Sequence, residues 1–307
     1  MQNKVEILLA TYNGEYYLRE QLDSILNQDY KDWIIRACDD ASTDNTYEIL
    51  MEYKEKFPDK FIIEKRETGF GSAKLNFAHL IKESVCDYVM CCDQDDVWLL
   101  NKISLTLRAM KENEKAGLPI LVHTDLKVVD AKLGVISESF FMHSNYNKNP
   151  GYKDLLIQNH VTGCTMMMNR ALINLLNLQK NYEDILMHDW LAAIVAAGLG
   201  KLIFVDYPTM LYRQHEVNSV GAKKYGFALL ISKLKNNSIR KSLVDTTKQA
   251  GRIANTYESV LSQEKHQLAH EYSQIFGRNK VYRIGFYIKN RVWKKGLPRQ
   301  VWQLILG

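Results

Sequence analysis

Asp87-Tyr88-Val89-Met90-Cys91-Cys92-Asp93-Gln94-Asp95-Asp96-Val97-Trp98 is a short apolar run that breaks into three carboxylates within four residues. An unbroken apolar run of this length reads as a strand buried on both faces, the habit of parallel sheets. Asp93, Asp95 and Asp96 then lie at its carboxyl end, where open α/β sheets place their ligand crevice. Carboxylates so close repel one another, and a hard divalent cation, Mg²⁺ or Mn²⁺, relieves the crowding while leaving positions open for water and substrate phosphates.

The chain on the amino-terminal side repeats this plan. Val5 to Ala10 and Trp33 to Cys38 read as strands, and Phe61 to Glu64 as a third. Between them come helical patterns: Leu18, Leu22, Ile25 and Leu26; then about Asp44 to Lys56; then a helix opened by Gly69 to Ser72 and running through Asn76 to Glu83. Four βα units in succession require crossovers and give a parallel sheet with helices on both faces. Right-handed crossovers bring Thr11-Tyr12-Asn13, Asp39-Asp40, Gly69 to Asn76 and Asp93 to Asp96 to one rim. That rim suits a nucleotide: Tyr12 to stack on a base, Asp39 to accept from a base N–H, Lys74 to meet a diphosphate.

After Trp98 the strict alternation ends. Ile120 to His123 reads as a strand, and Val128 to Asp130 with Gly134 to Ile136 as a hairpin. Val161 to Met168 reads as a further strand, Met187 to Ala197 as a helix, and Leu202 to Val205 and Met210 to Tyr212 as two short strands. The three consecutive methionines are expected to pack a core. Beyond Gly221 the pattern is helical with basic faces, including Gly226 to Lys235, and Val281 to Leu306 interleaves aromatics with Arg and Lys.

Residues 1–225 carry 25 basic and 31 acidic side chains and residues 226–307 carry 15 and 4, so a net charge of +5 conceals −6 followed by +11. From Arg278 onward there are eight basic residues and no acidic one. Such a tail meets a polyanion, and its mixture of cations and aromatics is that of an interfacial helix on an anionic membrane; a basic helical hairpin packed on its own domain or in a homodimer is the competing reading. The five cysteines lack zinc-site spacing and read as small buried hydrophobes of a reducing compartment. The amino-terminal residues show no signal-peptide pattern, and Leu191 to Gly200 is too short to span a bilayer. These features predict a cytoplasmic chain, peripheral on the inner face of the plasma membrane.

Ala10 to Gly14, Asp39 to Asp44, Lys74-Leu75-Asn76-Phe77, Asp93 to Trp98, Thr162-Gly163-Cys164, His188-Asp189-Trp190 and Tyr212 to Ser219 resemble, in order, the motifs of the family-2 glycosyltransferases. The resemblance covers about residues 4–221 and implies the GT-A fold, a Rossmann-like mixed sheet flanked by helices, with a basic helical extension. The domains are expected at 1–222 and 223–307. It implies a nucleotide-sugar donor held by Thr11, Tyr12, Asn13, Asp39, Asp40, Lys74, Asn76, Asp93, Gln94 and Arg213, with Asp39 on the base. It further implies a divalent metal on Asp95, Asp93 and His215, Asp189 as the general base of an inverting transfer, and acceptor contacts from Trp98, Gly163, His188 and Trp190. Core packing accounts equally well for Trp98 and Trp190.

Processive synthases of this family carry Gln-x-x-Arg-Trp and spanning helices; Tyr212-Arg213-Gln214-His215 and the absence of a spanning segment predict one or a few sugars per encounter. The motifs are most similar to bacterial rhamnosyltransferases of cell-wall or capsular polysaccharide assembly. These imply dTDP-L-rhamnose as donor and a lipid-linked glycan as acceptor, with a UDP-sugar (Glc, Gal or GlcNAc) donor as the alternative. A phosphatase of the haloacid dehalogenase type normally carries its Asp-x-Asp after the first strand, whereas Asp93 follows three βα units. A nucleic-acid-binding protein is the reading outside enzymes, and the tail lacks a recognition motif for it. An inactive scaffold is opposed by the intact Asp95 and Asp189.

Overall fold

A computed structural model describes residues 3–215 and 238–307. Glu216 to Ser219, the helix expected over Gly226 to Lys235 and the 222/223 domain boundary lie outside the described residues.

The first half is built as the apolar runs dictate. Strands β1 (Val5–Thr11), β2 (Trp33–Asp39), β3 (Phe61–Lys65) and β4 (Tyr88–Asp93) pair in parallel in the order β3-β2-β1-β4. Helices α1 (Leu18–Leu26), α2 (Thr46–Lys56) and α3 (Ala73–Glu83) cross between them. The helix expected from Asp44 starts two residues later because Asp44 lies outside it: its Oδ1 accepts from Thr46 N at 3.0 Å, meeting one of the amides a helix start leaves open.

Beyond β4 the sheet turns mixed. The corner after Asp93 passes through β5 (Val97–Trp98) into α4 (Lys102–Asn113) and then β6 (Ile120–Val129), which forms the expected hairpin with β7 (Val135–Ser137). Short helices α5 (Phe140–Ser144) and α6 (Tyr152–Ile157) lead to β8 (Met166–Asn169), which lies antiparallel between β4 and β6. Helices α7 (Arg170–Leu176) and α8 (His188–Leu199) precede β9 (Lys201–Arg213), parallel to β6 and antiparallel to β5.

Two expectations change here. The strand expected from Val161 begins only at Met166, because Gly163 to Thr165 form a 3₁₀ turn whose Gly163 amide donates to Asp189 Oδ2 at 3.1 Å. The two short strands expected after Leu202 are one strand of 13 residues. Its polar middle, Asp206-Tyr207-Pro208, falls where the register with β6 shifts around Asp125, and an irregularity is where a strand tolerates a proline.

Alternation along the strands divides the core into two clusters. Val5, Ile7, Leu9, Met90, Cys92 and Met167 belong to one; Leu8, Val89, Cys91, Met166 and Met168 belong to the other. The second continues through α8 into helices α9 (Ser238–Thr256), α10 (Gln263–Ser273), α11 (Lys280–Asn290) and α12 (Leu297–Leu306), through Leu243, Ile253, Tyr257, Tyr272, Phe286 and Val292. All five cysteines are buried and unpaired, as their apolar surroundings predict.

Gly200 turns α8 directly into β9 against the start of β6. A Cβ there would lie 1.9 Å from the Pro119 carbonyl oxygen, which also accepts from Lys201 N at 3.0 Å. Gly200→Ala is expected to cost about 1–3 kcal/mol by overpacking against rigid backbone, read as a fall in the urea midpoint at unchanged m-value.

Candidate active site

The carboxyl ends of β1, β2 and β4 and the far end of β9 meet at one rim. Asp39, last residue of β2, is buried and accepts from Thr11 Oγ1 at 3.1 Å, from Ser42 Oγ at 2.6 Å and from Ser42 N at 3.0 Å. The carboxylate of Asp40 turns the other way and accepts from the amides of Phe70 at 2.6 Å and Gly71 at 3.1 Å. Gly69 is required beside it, since a Cβ would lie 2.5 Å from the Asp40 carbonyl oxygen. Asn13 adopts φ +48°, which asparagine tolerates, and its Oδ1 accepts from Thr43 N at 2.9 Å. Tyr12 remains exposed above this wall.

Gln94 fastens the Tyr12 loop to the carboxylate corner, accepting from Tyr12 N at 2.8 Å and donating to Tyr12 O at 2.9 Å. The corner itself holds three acids in different settings. Asp95 reaches His215 at the end of β9, with Oδ2 2.7 Å from His215 Nε2. Asp96 is fully buried, accepts from Arg213 N at 3.1 Å and has one oxygen without a partner. Asp93 is half-buried, and ligand atoms of Asp93, Asp96 and Cys164 lie within 4.8 Å of one another.

Burial pushes the Asp93 carboxyl up to about 7, helped by the charges of Asp95 and Asp189. Burial likewise raises Asp96 well above the carboxylate range, with Asp95 and Asp93 adding repulsion. Asp189, in the first turn of α8, is raised by burial to about 6, against the pull of amides from Trp190 at 2.6 Å and Gly163 at 3.1 Å. The charge of the Asp189 carboxylate is one of those that raise Asp93.

Asp95 and His215 together have the donor chemistry of a divalent-cation site. The Asp95–His215 pair offers oxygen and imidazole nitrogen at one point, whereas among the described residues the ligand atoms gathered with Asp93 are those of Asp96 and Cys164. The buried cations nearby are committed to structure. Arg213 donates from Nε to Asp95 O at 2.8 Å and from Nη1 to Ala131 O at 2.8 Å, and it pairs with Glu20. Its guanidinium also lies 4.5 Å from the Tyr17 ring centroid, and Tyr17 in turn packs on His215 at 4.8 Å.

Several expected contacts change role. Arg213 is buried in this clasp, so it shapes the Asp95 loop and does not reach the open rim. Lys74 Nζ is held by the carbonyls of Tyr182 at 2.8 Å and Ile185 at 2.5 Å, and so braces the segment before α8. Asn76 is buried and donates to Cys38 O at 3.0 Å, tying α3 to β2. Trp98 is buried against the ammonium of Lys102, 4.9 Å from the ring centroid, so core packing accounts for it. His188 is buried and stacked on Phe77 at 4.1 Å behind Gly163. Trp190 is half-buried with its indole N–H on Leu155 O at 2.6 Å.

The sequence reading missed Lys102, Cys164 as a neighbour of Asp93 and Asp96, and the Ser42, Tyr17 and Glu20 supports. Only Ser42 carried a signal, three residues after Asp39 in a turn-forming cluster.

The chain matches the model of glycosyl transferase family 2 over residues 6–176. It is 32% identical over 228 residues to the dTDP-rhamnosyl transferase RfbG of Shigella flexneri, covering 70% of this chain and 74% of that one. It is 26% identical over 171 residues to the UDP-Glc:alpha-D-GlcNAc-diphosphoundecaprenol beta-1,3-glucosyltransferase WfgD of Escherichia coli, covering 55% of this chain and 62% of that one. In fold it is similar to Staphylococcus aureus TarS 1–349 in complex with UDP-GlcNAc, with TM-score 0.59, 18% identity and coverage of 98% and 78%. It is also similar to the mannosyltransferase PcManGT of Pyrobaculum calidifontis in complex with GDP-Man and Mn²⁺, with TM-score 0.55, 16% identity and coverage of 98% and 85%.

The raised carboxyls set a pH dependence. In the metal-free protein the folded state holds protons that the unfolded chain releases near its ordinary carboxylate value of 3.8, so stability falls as pH rises from about 4 through 7. Chemical denaturation at pH 5 and pH 8 checks this: Asp93→Asn should flatten the slope, leaving stability little changed at pH 5 and raised at pH 8. Arg213→Met should cost about 2 kcal/mol, the scale of charge-assisted bonds lost from a buried site, read by urea unfolding.

Proposed function

The chain belongs to glycosyl transferase family 2 and has its GT-A fold, and on that premise we propose an inverting, metal-dependent transfer of L-rhamnose from dTDP-L-rhamnose to a lipid-linked glycan. The observation that carries this reading is that Asp39 and Asp93 end the two strands flanking β1, with Asp95 on His215 just beyond and the Asp189 charge felt at Asp93. The relative at 32% identity, whose name specifies a dTDP-rhamnosyl transferase, supports the sugar. The diphosphoundecaprenol in another relative's name supports an acceptor presented at the inner face of a membrane. Among the described residues no helix is long and apolar enough to cross one, which suits a peripheral enzyme adding one or a few sugars per encounter.

In this reading Asp39 is the residue matched to the base, and its buried carboxylate, held by Thr11 and Ser42, fixes the turn on which the base lies. Thr11, Tyr12, Asn13 and Asp40 shape the wall around the nucleotide, and the Gln94 brace fixes their distance from the acidic corner. Asp95, His215 and Asp93 would hold Mg²⁺ or Mn²⁺, which when bound neutralises charge developing on the leaving diphosphate. Asp189 accepts the proton of the acceptor hydroxyl. A carboxyl near 6 is ionised at neutral pH and is a stronger base than an exposed aspartate. Gly163 donates its amide to the Asp189 carboxylate and thereby aims it, and Trp190 lies next to it on the acceptor side. A UDP-sugar donor is the second reading, favoured by the UDP-glucose relative.

Thermal unfolding against dTDP-rhamnose, UDP-sugars and GDP-sugars, with and without Mn²⁺, decides the donor, because a ligand that binds only the folded state raises the melting temperature. A metal-dependent rise with dTDP-rhamnose is expected, and a rise with UDP-sugars alone would replace the donor. Asp95→Ala should lose the metal-dependent part of the rise. Asp189→Asn should keep it while transfer falls by about 10²- to 10⁴-fold, the usual range for removal of a general base.

A further inference from the structure

The last two helices each leave apolar side chains in water. A surface helix normally turns an apolar stripe inward and a polar one outward. In α12 the inward residue is polar: Gln303 is buried, accepts from Lys294 N at 2.9 Å and donates to Val292 O at 2.8 Å. Its outward stripe is Leu297, Val301 and Ile305, four residues apart and 77%, 50% and 49% exposed. In α11 Val281 and Ile288, seven apart, are 82% and 61% exposed, while Phe286 and Tyr287 face the core.

We infer that these two stripes seat on an anionic lipid bilayer. Charge selects this occupant over a second copy of the chain. Lys280, Lys289, Arg291 and Lys295 are exposed beside the apolar residues, and no acidic residue follows Glu271. A symmetric dimer through this face would press like charges together, whereas an anionic leaflet attracts every one of them. Tyr282, half-exposed at the start of α11, has the apolar body and polar tip that suit headgroup depth. The inference adds a residue-level surface to the proposed lipid-linked acceptor and rests on that reading for its purpose, though not for its physics.

The full chain is sedimented with phosphatidylglycerol vesicles and with phosphatidylcholine vesicles. Binding to the first, weakening with salt and at least tenfold poorer to the second, is expected. Val301→Glu with Ile305→Glu should lower partitioning by about tenfold or more for each side chain withdrawn from the bilayer. Lys280→Gln with Lys289→Gln should lower it about 30-fold, at about fivefold per cation removed. Both variants alter exposed positions, and unchanged melting temperatures confirm that they fold. Absence of vesicle binding, equal binding to both lipids, or binding indifferent to both variants overturns the inference. So does a wild-type dimer in analytical ultracentrifugation that Val301→Glu with Ile305→Glu makes monomeric. The nucleotide-sugar thermal shift, measured alongside, reports on the transferase reading separately: it can fail while vesicle binding holds, and the reverse.

Discussion

Four carboxylates brought to the end of one buried strand constrain everything around them. Burial drives Asp93 and Asp96 up, and carboxylate repulsion adds to it, from Asp95 and Asp189 on Asp93 and from Asp95 and Asp93 on Asp96. The fold holds such a group together with backbone amides and with cations that are themselves fixed. The Arg213 amide meets Asp96 while its guanidinium holds the Asp95 carbonyl and Glu20. Lys102 lies below, its ammonium 3.1 Å from Thr209 Oγ1 and lowered by burial to about 8. Each of these partners except Lys102 comes from a distant part of the chain, so the site depends on the whole sheet being closed.

That demand explains the length of β9. It pairs with β6 along most of its course, passes a bulge at Pro208, and then delivers Met210 and Leu211 to the short β5 ladder. Only a strand continuing that far carries Arg213 and His215 back to the corner that β4 created. Reading β9 as two short strands obscured this, because Asp206-Tyr207-Pro208 is a plausible loop when the register of its neighbour is unknown.

The legible parts of the sequence were those where one local pattern has one physical meaning. Apolar runs ending in Asp39 and Asp93 fixed parallel strands and their rim, since parallel pairing leaves few ways to arrange successive βα units. The chain could not announce which side chains of the rim face outward. Trp98, His188, Lys74 and Arg213 belong to types that bind sugars and phosphates; Trp98 is taken up by Lys102 one helical turn on, and the others by neighbours far away in sequence: Phe77, the Tyr182 and Ile185 carbonyls, and Glu20. Cys164 resembled any other core cysteine until the turn at Gly163 brought it to Asp93 and Asp96. Burial and distant pairing are properties of the closed fold, which periodicity does not encode.

The carboxy-terminal helices complete the same argument from the other direction. Composition set them apart as a basic extension, yet they share a continuous core with the sheet through α8. That helix begins at the Asp189 turn and ends where Lys265 Nζ takes the Gly198 carbonyl at 2.6 Å, about 18 Å along its axis at 1.5 Å per residue. Lys295 N on Gln158 Oε1 at 2.9 Å and Arg252 on Asp184 at 2.8 Å add further ties to the segments around it. A packed interior resists bending, so a surface formed by the last helices holds a fixed attitude to the Asp189 carboxylate. The core itself thus supplies a rigid link between the last helices and the turn that carries Asp189.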